Sequence, residues 1–169
     1  VFRLDTLWRR EASTMRITRI LVPIDFSAHS EAAMRYAQEL ARPFHAAIHL
    51  VTVVEDPLAA GVWSSEIYTV EIAELQINLV RDAEKRLRGL VPAGVDSMTT
   101  EVRTGPAAKQ ILDAARERRS DLIVMGTHGR TGIAHVVMGS VAEKVVRLAP
   151  CPVLTLHAAR SEPSAASVA

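Results

Sequence analysis

The glycines of Gly126-x2-Gly129-x9-Gly139-Ser140 follow directly on the apolar run DLIVM. Gly126 closes a strand-like stretch, where a missing Cβ allows a left-handed turn or a close approach of backbone to a ligand. Gly129 and Gly132 keep the next segment pliable. Gly139 and Ser140 open a helical pattern, and a helix N-terminus offers unpaired N–H groups and a partial positive charge. Strand, glycine turn and helix start in succession suit a phosphate group. His128 and Arg130 sit in the same segment, where they add charge or simply face water. A connection this long in a compact domain is functional or disordered in most cases.

Plainer uses of the same residues stand beside that one. Ser140 with Glu143 three residues on is a capping box, which would serve helix initiation alone. Gly126 could do no more than turn the chain. The sequence contains neither G-x-x-x-x-G-K-[ST] nor G-x-G-x-x-G, which weighs against a P-loop NTPase and an ordinary dinucleotide site. Asp25 ends the first apolar run; it either reaches a ligand or caps the following helix, a task for which Ser27 competes. His45 and His49 lie in or near the second strand with no third metal ligand, so packing is preferred to zinc. Cys151, flanked by Pro150 and Pro152, reads as a small buried hydrophobe rather than a nucleophile.

These residues need elements to hold them, and the periodicity supplies five strands and four helices. RILVPID, from Arg19, is a continuous apolar run of the kind buried on both faces. Ser27 is placed to cap a helix through Ala41, with Ala33, Ala37 and Leu40 on one side. AAIHLVTVV is a second strand, followed by a helix over roughly 65–90 with Ile72, Leu75, Leu79 and Leu87 spaced for burial. SMTTEVRTG is a third strand and Ala107–Arg118 a helix turning Ile111, Leu112 and Ala115 inward. DLIVMG, GSVAEKVVRLA and CPVLTLH complete the series as strand, helix and strand. Strict alternation predicts a mostly parallel sheet covered on both faces. In such sheets the ligand sits at the carboxyl ends of the strands, where the strand order reverses. If the first strand pairs with the fourth, Asp25 and Gly126 meet there.

Composition narrows the classes. With 169 residues, 49% hydrophobic and 23% charged, the chain is one ordinary soluble domain. A formal net charge of +1 and 4% aromatic residues argue against nucleic acid or an anionic membrane as partner. A single cysteine excludes an internal disulfide and suits a reducing, cytoplasmic setting. No run reaches the length of a membrane span. Residues 1–14, which lack the pattern of a signal peptide, are expected to be a flexible extension, 15–158 the domain, and 159–169 a disordered tail.

The glycine spacing, with ILVPIDFS near the start and APCPVLTLH near the end, resembles the universal stress protein family, specifically its UspA-like, ATP-binding subgroup. The resemblance covers Met15 to His157. It implies a doubly wound five-stranded parallel sheet of order 3-2-1-4-5, flavodoxin-like and akin to the adenine-nucleotide α-hydrolases, with ATP (or ADP or AMP) at the switch point. By position, Asp25 would lie beside ribose and adenine, and Val53 would line the base pocket. Gly126 and Gly129 would let the loop wrap ribose and phosphates. Gly139, Ser140 and Val141 would donate hydrogen bonds to phosphate oxygens, with Pro23 and Met125 as apolar walls. Two positions depart from the pattern: Ala142 stands where some members carry threonine, and Ile24 where some carry a small polar residue. Asp25 is the candidate to hold Mg²⁺ through water.

Three functions follow for the chain: an ATP-dependent stress-response module, a nucleotide-independent interaction or chaperone-like protein of the same fold, or a slow ATPase. The sequence shows no convincing general base for the last, His128 and His135 being candidates by proximity alone. The final strand is expected at the sheet edge, and an apolar edge calls for pairing. A homodimer through Val153–Leu156 meets that need, beginning after the prolines.

Overall fold

A computed structural model describes residues 16–55, 69–92, 94–95, 97–127 and 138–157, with the backbone alone for 69–72. The expectations for residues 1–14 and 159–169, and those for His128, Gly129, Arg130, Gly132 and His135, lie outside the described residues.

Among the described residues nine elements alternate: β1 (Arg19–Pro23), α1 (Ala28–Phe44), β2 (Ala47–Val54), α2 (Thr69–Gly89), β3 (Met98–Thr104), α3 (Ala107–Glu117), β4 (Leu122–Gly126), α4 (Ser140–Leu148) and β5 (Val153–Leu156). The strands form one parallel sheet in the order β3-β2-β1-β4-β5. The first strand is central and pairs with both β2 and β4, with Val22 beside Leu50 and Leu21 beside Ile123.

Alternation along each central strand feeds two separate cores, because successive side chains leave opposite faces of a sheet. Ile20, Val22, Ile48, Leu50, Leu122 and Val124 pack with Ala33, Met34, Ala37 and Ala41 of α1 and Leu87 of α2. Leu21, Val51, Ile123 and Met125 go the other way, onto Ile111, Ala114 and Ala115 of α3 and Ala142 and Val145 of α4. Burial on both faces is why these strands read as unbroken apolar runs. The alanines at four-residue intervals let α1 approach the sheet closely.

Local signals set the ends of the helices. Ser27 caps α1, its Oγ accepting from the Ser30 N–H at 3.3 Å. The helix runs past Ala41, carries Pro43 in its last turn, and stops at His45, whose left-handed backbone sends its N–H back to Ala41 and Arg42 carbonyls. The entry to β1 is held by Asp121, whose Oδ2 accepts from the N–H groups of Thr18 and Arg19, both at 2.9 Å. Burial pushes that carboxyl up, but these hydrogen bonds outweigh it and hold its pKa below the ordinary value.

The long helix departs from the expected pattern. Leu75 and Leu79 are 50% and 41% exposed, and full burial among its described side chains begins only at Ala83. The 21 residues of α2 span about 31 Å at 1.5 Å per residue, longer than the strands beneath it, so its first turns overhang. In a βαβ crossover that overhang lies at the carboxyl edge of the sheet.

Candidate functional site

The carboxyl ends of β1 and β4 diverge where the chain order reverses, and a cleft of about 660 Å³ opens there. Pro23, Asp25, Val53, Met125, Gly126, Gly139, Ser140 and Val141 all line it. Sequence positions spread over more than a hundred residues thus converge on one cavity. Gly129 falls outside the described residues.

Each wall has a local cause. On the β1 side, Asp25 Oδ1 accepts from the Ser27 N–H at 3.0 Å and from the Ser27 hydroxyl at 2.6 Å, while Ser27 caps α1. The two candidate caps therefore work in series: Ser27 holds the helix and Asp25 holds Ser27. Phe26 between them takes a left-handed backbone, φ 62°, which is rare for a bulky residue. The ends of β1 and β2 are tied by the Ile24 N–H to the Val51 carbonyl at 2.7 Å and by the Thr52 hydroxyl to the Ile24 carbonyl.

On the β4 side, the Gly139 N–H donates to the Thr127 carbonyl at 2.8 Å, and the Thr127 N–H donates to the Leu156 carbonyl at 2.9 Å. These bonds set the start of α4 against the end of β4. Gly139 is the N-cap, with φ −68° and ψ 152° and no side chain to cap with. Ser140 is then the first helical residue, so Ser140 and Glu143 do not form the capping box that their spacing suggested. Instead the Glu143 N–H bonds the Gly139 carbonyl at 2.9 Å. The N–H groups of Ser140, Val141 and Ala142 have no acceptor within the helix. The helix α3 also begins at the cleft without a side-chain cap, at Pro106, and Ala107 lines the cavity. Two uncapped helix starts thus turn their positive ends toward one space.

Several lining residues were not legible in the sequence. Thr127 follows the fourth strand directly, and its adjacency to Gly126 was a usable signal. Glu55 ends β2. Leu79, Asp82, Ala83 and Arg86 come from α2, whose overhang makes it a cleft wall. Their three- and four-residue spacing marks a common helix face but not what that face meets. The described lining carries the carboxylates Asp25, Glu55 and Asp82 and one cationic side chain, Arg86.

The remaining candidates lie elsewhere. His49 is buried away from the cleft, its Nδ1 2.8 Å from Thr99 Oγ1 and its Nε2 2.9 Å from Glu101 Oε2. Burial pushes its imidazole below the ordinary value, against the pull of Glu101. His45 is exposed at the end of α1. Cys151 is half-buried, and burial raises its thiol pKa, the reverse of an activated nucleophile.

Comparison with known proteins agrees with this architecture. The sequence model of the universal stress protein family matches residues 16–157. Universal stress protein MJ0531 of Methanocaldococcus jannaschii is 32% identical over 144 residues, 85% of this chain and 84% of that one. Among solved structures, universal stress protein UspA from Lactobacillus plantarum is 29% identical, with a TM-score of 0.69, covering 83% of this chain and 98% of its own. A universal stress protein solved in complex with cAMP has the same fold, at 23% identity and a TM-score of 0.56, over 85% of this chain and 99% of that one. The chain belongs to the universal stress protein family.

Proposed function

We propose that this universal stress protein binds an adenine nucleotide, ATP foremost, in the cleft between β1 and β4, and that the bound nucleotide sets its conformation or its choice of partner. The observation that carries the reading is the uncapped start of α4, Gly139 to Ala142, forming a wall of a cavity at the switch point of the sheet. Main-chain N–H groups there suit phosphate oxygens, and the Ser140 hydroxyl adds a further donor. Pro23, Val53 and Met125 offer an apolar pocket for the base, and Asp25 lies where a carboxylate would accept from ribose hydroxyls. Gly126 and Gly129 give the connecting loop room to follow the sugar and phosphates. The donor set fits the group, and a solved protein of this fold holds cAMP, which is also an adenine nucleotide.

Ala142 lacks the hydroxyl that some family members place near the terminal phosphates, so ADP and AMP compete with ATP more closely here. Mg²⁺ arrives with the phosphates, Asp25 meeting it through water. The protein acts in the cytoplasm as a two-fold dimer, the half-buried β5 edge of one copy, Val153–Leu156, pairing with that of the other.

The test is nucleotide content. Purified protein is denatured, and released small molecules are identified by chromatography and mass, with ATP titrated into the emptied protein. About one adenine nucleotide per chain, lost in Gly139→Val, supports the reading. No retained nucleotide and no titration signal up to millimolar ATP overturns it in favour of a nucleotide-independent interaction protein.

A further inference from the structure

Arg86 is the cationic side chain among the described residues lining the cleft; Arg81, Lys85 and Arg88 of the same helix do not line it. Arg88 pairs with Glu84 four residues earlier, at 3.5 Å. Arg86 has Asp82 at the same spacing, in the orientation that favours an ion pair on a helix. It makes no such pair. Its guanidinium carbon lies instead 3.9 Å above the centre of the Phe26 ring. Among the described residues no hydrogen bond or ion pair engages its N–H groups.

That arrangement has chemical content. A guanidinium held over an aromatic ring is attracted by the ring's quadrupole, and that contact uses none of its N–H groups as hydrogen-bond donors to oxygen. The platform is itself unusual, since Phe26 occupies a left-handed backbone fixed by the hydrogen bonds from Ser27 to Asp25. Strain of that kind at a cleft wall is a mark of a functional constraint. Charge argues the same way. Asp25, Glu55 and Asp82 share the described lining, so a polyanion entering it meets three carboxylates. A side-chain cation is needed to offset them.

We propose that Arg86, braced on Phe26, reads a phosphate oxygen of the bound nucleotide and so sets the preference of the cleft for phosphorylated nucleotides over nucleosides. The proposal rests on the nucleotide-binding reading above. The α4 helix start supplies neutral main-chain donors from one wall; Arg86 supplies a full charge from the α2 wall. A planar fork suits this task better than an ammonium group would.

Calorimetric titration of the full chain with ATP, AMP and adenosine tests it, using the native protein, Arg86→Gln, Arg86→Lys and Phe26→Leu. Loss of a charge-assisted contact should weaken ATP binding by about tenfold in Arg86→Gln and leave adenosine within about twofold. Arg86→Lys should fall between, and Phe26→Leu should follow Arg86→Gln in direction. Unchanged ATP affinity in Arg86→Gln overturns the inference and leaves the nucleotide site standing. Equal losses for ATP and adenosine also overturn it, because they indicate a base-stacking or structural role. A native protein that binds none of the three ligands removes both the site and this residue's part in it.

Discussion

Replacing Gly139 by aspartate should separate stability from binding, since one set of N–H groups serves both. Gly139 already has the extended backbone of an N-cap, φ −68° and ψ 152°, which any L-residue adopts without strain. Aspartate there would accept from the N–H of Val141 or Ala142, as Ser27 accepts from Ser30 at the start of α1. The gain over glycine is a few tenths of a kcal/mol for the cap plus about 0.3–1 kcal/mol for a negative charge at the helix start. At roughly 2–4 °C per kcal/mol for a domain of this size, the ligand-free protein should melt about 2–4 °C higher. The same carboxylate would stand roughly 5 Å from a phosphate bound at this turn, a repulsion of about 3 kcal/mol at an effective dielectric of 20. ATP affinity should therefore fall on the order of a hundredfold. Differential scanning fluorimetry with and without ATP reads both effects in one experiment. A variant that melts higher and still gains stability from ATP as the native protein does would refute the phosphate role of this helix start. A variant that melts lower would refute the assignment of Gly139 as its cap.

Two further outcomes test the fold and its charges. Leu87→Ala removes a fully buried side chain from the α1–α2 core and should cost about 3 kcal/mol, whereas Leu79→Ala, on the overhanging part of the same helix, should cost less than about 1 kcal/mol; similar urea midpoints for the two variants would contradict the burial pattern. The His49 imidazole is held below its ordinary 6.5 by burial, so between that value and its native pKa the unfolded chain binds the extra proton. Stability should thus fall as pH drops below 6.5 and level off beneath the native value. Burial pushes the Glu101 carboxyl up, but hydrogen bonds from Arg118 and His49 hold it below 4.5, so its contribution is present above 4.5 and lost as pH falls through the native value. Urea midpoints measured from pH 7.5 to 5 should fall less steeply in His49→Gln, and parallel curves would count against the buried, neutral imidazole.

Much of the fold was written in local pattern. The apolar run Ile20–Val22 needed both of its faces covered, and strict alternation of strands with helices left few topologies able to cover them. Part of the cleft was legible for a related reason. Asp25 and Gly126 stand at or just past the ends of strands, and a parallel sheet brings all such ends to one edge. Gly139 and Ser140 followed from the glycine spacing and the helix start beside it, whereas Pro23, Val53, Met125 and Val141 came from the family resemblance.

What required tertiary structure was the meeting of distant faces. Leu75 and Leu79 have the spacing of buried residues, yet the length of α2 relative to its strands leaves them beyond the sheet. Ser140 and Glu143 have the spacing of a capping box, yet the bond from the Gly139 N–H to the Thr127 carbonyl starts the helix one residue earlier. Helical periodicity shows that Asp82 and Arg86 share a face; it is silent on whether that face meets water, a core or a cleft. Arg86 finding Phe26 rather than Asp82 depends on a left-handed turn sixty residues away in the chain. Local sequence determines which elements form and which of their ends converge, because backbone and burial preferences act over a few residues. The lengths and packing of those elements decide which side chains then face one another, and that information is spread over the whole chain.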